Sequence, residues 1–376
     1  MLNIDKLSYW ERKSIFENID HLIIGSGIVG FSTAFHLKKL NPDSRILILE
    51  KGHLPEGASS KNAGFACFGS ATELADDIQN FGEDLVWETV ALRWKGLSYL
   101  RQLIGDENLK LEINGSWDLI KDDELEIYQA VLPQLPHFNQ KIQEITGESN
   151  VYSEDDTVTD KFGLEEIKTS FFNRLEGQID TSAMNKQFTK IASELDITVL
   201  YGITAESIEG NTVITNIGNI SAQNIAICTN GFAGKFLPEE DVKPARAQVL
   251  VTNVIPELKI KGTFHYQKGY YYFRNIDGRV LFGGGRNLNF EGETTTEMTN
   301  TEQIMSQLDK LLSEVILPNN DYSIDYQWAG IMGVGMDKKP IVKRISEHVY
   351  CGVRLGGMGV AIGTLVGKDL ADLINN

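Results

Sequence analysis

From residue 21 the apolar run HLII stops at Gly25, and a helical spacing of apolar positions begins at once: Ile28, Val29, Phe31, Ala34, Leu37 and Leu40. RILILE then reads as a second strand, closing on Glu50. The pattern predicts strand, helix and strand over 21–50. Residues 51–70, KGHLPEGASSKNAGFACFGS, have no period and are rich in Gly and Ser, which predicts a functional loop leading to a helix. Helical patterns follow over 76–104 and 121–146. Between them LEINGSWDLI predicts a hairpin turning at Asn114-Gly115. A helix over 182–196 precedes the strands ITVLYG and AESIEG. The stretch 211–231 reads as a hairpin feeding a strand that ends at Asn230-Gly231. RAQVLVTNV, GYYYFRN and RVLFGGG predict strands of a second sheet, and 296–315 a helix. The last stretch, VYCGVRLGGMGVAIGTLVGKDLADLI, reads as strand, glycine-rich turn and helix. Residues 1–20 are expected to form an arm packed through Tyr9, Trp10 and Phe16.

Gly25, Gly27 and Gly30 stand at GxGxxG spacing directly after the first strand, with Ile28 and Val29 between the last two. Glu50 lies twenty residues beyond Gly30, followed by Lys51. Strand, glycine turn, helix, strand and terminal acid together describe a dinucleotide-binding unit. Gly25 permits a tight turn, Gly27 lets backbone approach a pyrophosphate, and Gly30 lets the helix pack close. The phosphates then meet the positive end of the helix. A carboxylate at Glu50 suits ribose hydroxyls and disfavours a 2′-phosphate. The motif alone leaves FAD and NAD open.

At 376 residues the chain is long for one hydrophobic core, so two domains are expected. A formal charge of −17 disfavours nucleic acid and anionic membrane surfaces as partners. No apolar run is long enough to insert stably in a membrane, and residues 1–20 lack the basic and apolar regions of a signal peptide. The three cysteines, Cys67, Cys228 and Cys351, are far apart and show no metal-ligand spacing. A reduced, cytoplasmic setting is expected. Nucleotide-type segments occur at the start, middle and end. The expected division is therefore discontinuous: 1–85, 155–235 and 325–376 bind the nucleotide, while 86–154 and 236–324 bind substrate.

Several blocks in order resemble one family. They are SYW, GSGIVG with Glu50, GASSKNAG at 57–64, IAICTNGFAG, KPARAQVLVT, YYFRNIDGRVLFGG, YQWAGIMGVGMDKKPIV and LGGMGVAIGTLVG. Together they resemble the flavin-dependent amine and amino-acid oxidoreductases. These include glycine oxidase, sarcosine oxidase, D-amino-acid oxidase and dehydrogenase, and gamma-glutamylputrescine oxidase. The resemblance implies FAD. It implies an α/β fold: a Rossmann-like FAD/NAD(P)-binding domain of the glutathione-reductase type, interleaved with an α+β substrate domain on an antiparallel sheet. It implies hydride removal from a carbon bearing nitrogen in a small amine or amino-acid substrate, with oxygen or another acceptor reoxidising the flavin.

By matching, Ser59, Ser60, Asn62 and Gly64 run beside pyrophosphate and flavin, and the Ala205 backbone meets adenine. Thr229, Asn230, Gly231 and Gly330 fall in matched cofactor segments. Gly357, Met358, Gly359 and Val360 form the turn beside the isoalloxazine, where N–H groups would stabilise negative charge on reduced flavin. Tyr271 matches a tyrosine that meets substrate in glycine-oxidase-like members, with an aromatic face packed in the sheet as the alternative. Alternation puts Tyr270 and Tyr272 on the other face. His53 and His265 remain open as site residues.

Two departures stand out. Glycine-oxidase-like members carry a carboxylate-gripping arginine where this chain has Gly357. Arg354 and Arg286 are the substitutes the sequence offers. The pattern NIDGRVLFGGGRN is more similar to the gamma-glutamylputrescine oxidase branch. Sarcosine-oxidase-like members attach flavin through a cysteine before the final strands; residues 328–340 have none, so FAD is expected to be non-covalent. A flavin-dependent 2-hydroxyacid or polyol-phosphate dehydrogenase on the same fold is the alternative.

Overall fold

The strand–helix–strand pattern at the start of the chain builds the centre of a parallel sheet. In the computed structural model, which describes residues 3–376, β1 (Ile19–Ile24) leads into α1 (Ile28–Leu40) and β2 (Ile46–Glu50). β1 pairs β2 in parallel, with Leu22 opposite Leu47 and Ile24 opposite Leu49. On its other side β1 pairs Gly218–Ile227, which pairs Val349–Val353, again in parallel. Thr198–Tyr201 extends the sheet beyond β2, and Ile341–Arg344 closes the far edge antiparallel.

Both faces of β1 are covered, which is why it reads as a continuous apolar run. On one face Ile23 and Ile48 pack with α1 and with residues of the helices Glu83–Ile104, Thr181–Glu194 and Gly359–Asn375. The C-terminal helix lies close against α1. A Cβ on Gly363 would stand 2.7 Å from Ile28, and one on Gly367 would stand 2.5 Å from Ser32. On the other face Leu22, Leu47 and Leu49 meet Val213 and Ile220 of an antiparallel meander over 205–227. The N-terminal arm joins this layer through Ile4, Leu7, Ile15 and Phe16. Tyr9 and Trp10, expected as anchors, are instead 61% and 73% exposed. A capping box between Ser8 and Glu11 fixes their short helix and leaves both rings outside.

A second sheet runs Ile324–Val334, Lys243–Thr252, Arg279–Gly284, Tyr271–Ile276, Thr263–Tyr266, Ser116–Lys121, Ile167–Asn173, Tyr152–Asp155. All neighbours are antiparallel except Thr263–Tyr266 with Ser116–Lys121. Three expectations change here. LEINGSWDLI forms no hairpin: Glu112 bridges Gln178, while Ser116–Lys121 pairs Ile167–Asn173. Distant strands outcompete the local turn. The helix expected from 296 starts at Glu302, because Thr301 is tied to Gln248 of the sheet in both directions. Strands Ile167–Asn173 and Ile324–Val334 also belong to this sheet, although the expected division gives 155–235 and 325–376 to the nucleotide part.

The sheet has two unlike faces. The back, with Leu250, Phe264, Tyr271, Phe273 and Phe282, packs on the helix Glu302–Leu311 and the turn after it. The front, with Val249, Val251, Leu281, Tyr272 and Trp328, packs against Ala63 and Phe65 of the Gly/Ser-rich loop. The loop is therefore held between the two sheets.

Candidate functional site

The glycine turn is built by close approach. A Cβ on Gly25, which sits at φ +108°, would lie 2.7 Å from the Cys228 carbonyl oxygen. One on Gly30 would lie 1.9 Å from the Gly25 carbonyl oxygen. At the start of α1 the Ile28 N–H donates to Ser59 Oγ at 2.9 Å. The N–H groups of Val29 and Gly30 have no partner among the described residues. Glu50 is fixed beside them: one carboxylate oxygen accepts from Ser26, the other from the Gly52 N–H at 3.0 Å. Lys51 is exposed.

Within the loop, Asn62 ties the turn by accepting from the Gly64 N–H at 2.8 Å and donating to the Ser59 carbonyl at 2.9 Å. Ser60 donates to the Pro55 carbonyl. The loop is latched to the second sheet: Trp328 Nε1 donates to the Lys61 carbonyl at 2.9 Å, and a Cβ on Gly330 would touch Lys61. Asn230 Oδ1 accepts from the N–H groups of Arg354 and Leu355, joining the middle segment to the final turn. Gly231 lies against the Met332 carbonyl. Thr229 Oγ1 is buried without a partner. The Ala205 carbonyl accepts from Lys235 Nζ at 3.2 Å.

After Gly356 and Gly357, both at positive φ, Met358 is the N-cap of the C-terminal helix. The N–H groups of Gly359 and Val360 are open among the described residues. The Val360 side chain packs in the core behind them. A Cβ on Gly359 would meet only Leu355, at 3.4 Å.

Two of the three residues expected to meet substrate, Tyr271 and Arg354, are engaged elsewhere. Tyr271 is 2% exposed and lies in the back layer with Tyr266 and Phe282, away from the loop. Its neighbour Tyr272 takes the front face, edge-on to Phe65 at 5.6 Å. Burial pushes the Tyr272 phenol up to about 12, so it stays a neutral hydroxyl. Arg354 is not a free clamp. It donates to Asp337 at 2.7 Å, to Asp241 at 3.0 Å and to the Lys339 and Asp241 carbonyls. Its work is to brace the glycine-rich turn. Arg286 is half-buried over the Phe290 ring at 5.0 Å, its Nε is without a partner, and burial lowers its pKa.

Sequence reasoning missed a buried polar layer beside the front face. Glu73 sits between Lys338 at 2.9 Å and Arg93 at 3.5 Å. Burial alone would raise its pKa, but the two cations hold it at about 2. Burial raises Asp118 and Glu176 to about 7, against the N–H groups donating to them. Burial lowers His265 to about 4. Cys67, Glu176 and His265 bring one ligand-type atom each within 4.8 Å of the others. Burial also pushes the Cys67 thiol well up, so it stays protonated, while His265 Nε2 and one Glu176 oxygen are buried without partners. These residues come from five distant segments, 67–93 and around 118, 176, 265 and 338, and no spacing in the sequence joins them. His53 lies apart from this layer, beside Gly202.

The comparisons agree with this architecture. The profile of the FAD dependent oxidoreductase family matches residues 20–373. Gamma-glutamylputrescine oxidoreductase of Escherichia coli is 20% identical, over 94% of this chain and 83% of its own. Among solved structures, glycine oxidase from Geobacillus kaustophilus superposes with a TM-score of 0.75 at 18% identity, covering 95% of each chain. L-Proline dehydrogenase from P. horikoshii gives 0.73 at 20% identity, covering 96% of this chain and 94% of its own. The structural likenesses carry the fold, and the profile spans almost the whole chain. On that match, this chain is an enzyme of the FAD dependent oxidoreductase (DAO) family.

Proposed function

We propose that this protein oxidises a C–N bond of a small amine or amino acid, using non-covalent FAD and passing the electrons on to oxygen or another acceptor. The reading is carried by one observation: the family match coincides with a cradle built for a dinucleotide. Two helix N-termini offer open N–H pairs, at Val29–Gly30 and at Gly359–Val360. Thr229 Oγ1 is a buried hydroxyl still without a partner. Gly359 leaves room that the protein does not itself fill. These residues fit FAD. The nucleotide part is best placed in the glutathione-reductase type, with the mainly parallel first sheet in support.

In this reading Gly25, Gly27, Ile28, Val29 and Gly30 hold the pyrophosphate, and Glu50 and Lys51 serve the adenosine half. Ala205 lends its backbone to adenine. Ser59, Ser60, Asn62 and Gly64 line the flavin side with Thr229, Asn230, Gly231 and Gly330. Gly357, Met358, Gly359 and Val360 face the pyrimidine edge. FAD, when bound, supplies the acceptor for a hydride. The chain's own part is to orient the C–H bond and exclude water. Tyr272, Trp328 and the aliphatic front face supply the wall for that. No helix of the described residues is long and apolar enough to cross a membrane.

The test is anaerobic mixing of holoprotein with amines, N-methyl amino acids, D-amino acids and 2-hydroxyacids while the visible flavin band is followed. Bleaching by a nitrogen donor, with recovery on admitting air or a dye, is the expected result. Bleaching only by 2-hydroxyacids would overturn the C–N assignment.

A further inference from the structure

We propose that Arg274, on the front face of the second sheet, is an anion-binding residue and takes a carboxylate carried by the substrate. The proposal rests on the flavin and amine reading above. It starts from an imbalance among the arginines. Arg93, Arg246, Arg274 and Arg354 are all buried. Arg93 pairs with Glu73, Arg246 with Glu293, and Arg354 with Asp241 and Asp337. Arg274 is 4% exposed, its Nε is buried without a partner, and it has no carboxylate within ion-pair distance among the described residues. A guanidinium does not shed its charge to escape burial, and an unpaired buried charge is costly. The fold tolerates that cost when a ligand supplies the counter-charge.

Two of the nearby acids are committed elsewhere, and the third, Asp277, is exposed on the turn that follows the strand. Asp180 accepts from Lys110 and caps the helix Thr181–Glu194. Glu112 accepts from Gln178 and Asn114. Position then selects the ligand. Arg274 shares the front face with Tyr272, two residues away on the same strand. Its guanidinium reaches the Gly64 backbone, where a Cβ on Gly64 would stand 2.9 Å from it. Gly64 belongs to the loop that lines the flavin side in the proposed function. The wall beside it, Val249, Val251 and Leu281, is apolar and suits an alkyl chain. A planar fork next to an apolar wall matches a carboxylate on a short carbon chain. The pyrophosphate has its own site at the start of α1, across the loop.

The test titrates FAD-loaded protein with benzoate and with neutral benzamide, following the visible flavin band. Wild type is expected to prefer benzoate. Arg274→Met should lose benzoate affinity by about 30-fold or more relative to benzamide, and Arg274→Lys should recover part of it. KM for an amino acid, relative to that for its decarboxylated amine, should move by a similar factor. If Arg274→Met fails to retain FAD, Arg274→Lys reads the same preference. An unchanged benzoate-to-benzamide ratio in the variants, or no preference in wild type, overturns the proposal. So does a shifted flavin potential with benzoate affinity intact, which would make the flavin itself the anion. Reduction by neutral amines without any carboxylate preference sinks Arg274 alone. No reduction by any nitrogen donor sinks the function.

Discussion

Ser26 and Glu50 are joined twice. The Ser26 hydroxyl and its backbone N–H both donate to one Glu50 carboxylate oxygen, at 2.6 and 3.1 Å. The carboxylate that ends β2 is thus set in place by the glycine turn it would share a nucleotide with. Glu50→Ala should weaken FAD binding by about 10- to 150-fold, the loss of one charge-assisted hydrogen bond. Titrating apoprotein with FAD by fluorescence quenching measures it. An unchanged affinity would remove Glu50 from the site.

Two glycines should fail in different ways. Gly30→Ala drives a methyl into the Gly25 carbonyl, so the apoprotein should misfold or lose its cooperative melt. Gly359→Val has only Leu355 near it and should leave the apoprotein melt close to wild type while impairing FAD retention. Melting curves with and without added FAD separate the cases. Normal FAD affinity in a stable Gly359→Val protein would refute the role of that turn.

Arg354→Met should destabilise the fold by about 1–3 kcal/mol, since it abandons two carboxylates and two carbonyls. Chemical denaturation reads the loss. A variant of wild-type stability that selectively loses anionic substrates would restore Arg354 as the clamp.

Glu176 gives stability a pH slope. Its pKa is about 7 in the fold because burial disfavours the charge, and lies near 4.5 in the unfolded chain. Between those values only the unfolded chain releases the proton, so stability falls as pH rises through this window and is level above it. The full effect is on the order of 3 kcal/mol. Asp118 acts in the same sense. His265, lowered to about 4, acts oppositely and loses stability as pH falls below about 6.5. Glu176→Gln should gain on wild type as pH rises from about 5 to about 8. Parallel pH profiles of the two proteins would contradict the buried acid.

Acid precipitation should leave all the flavin in the supernatant. Burial pushes the Cys67, Cys228 and Cys351 thiols up, away from the reactive thiolate. A flavin-modified peptide, most plainly one containing Cys67, would show covalent attachment.

The glycine turn and Glu50 were legible because their signal is local: periodicity, spacing and a strand end. Alternation of Tyr271 and Tyr272 was legible too, but not its phase, since the helix Glu302–Leu311 on one side and the 57–66 loop on the other decide which face is which. Asn114-Gly115 carries hairpin chemistry, yet its strand finds a partner more than forty residues later. Arg354 looked free because Asp241 precedes it by 113 residues. Arg274 reads equally as a site residue or as a salt-bridged sheet arginine, because a missing partner leaves no mark in a sequence.

The tight seat of the C-terminal helix on α1 has a consequence for biosynthesis. Ile28 and Ser32 belong to the first helix of the glycine turn, and Gly363 and Gly367 to the last helix of the chain. In the proposed function, a ribosome makes the pyrophosphate half of the cradle well before the flavin half. Until residues 359–375 have emerged, the nascent chain has a turn for phosphate but no second helix to close over it. Cofactor capture then waits for that segment, and a nonsense lesion within it should present as a flavin-deficient protein rather than as a merely shortened one.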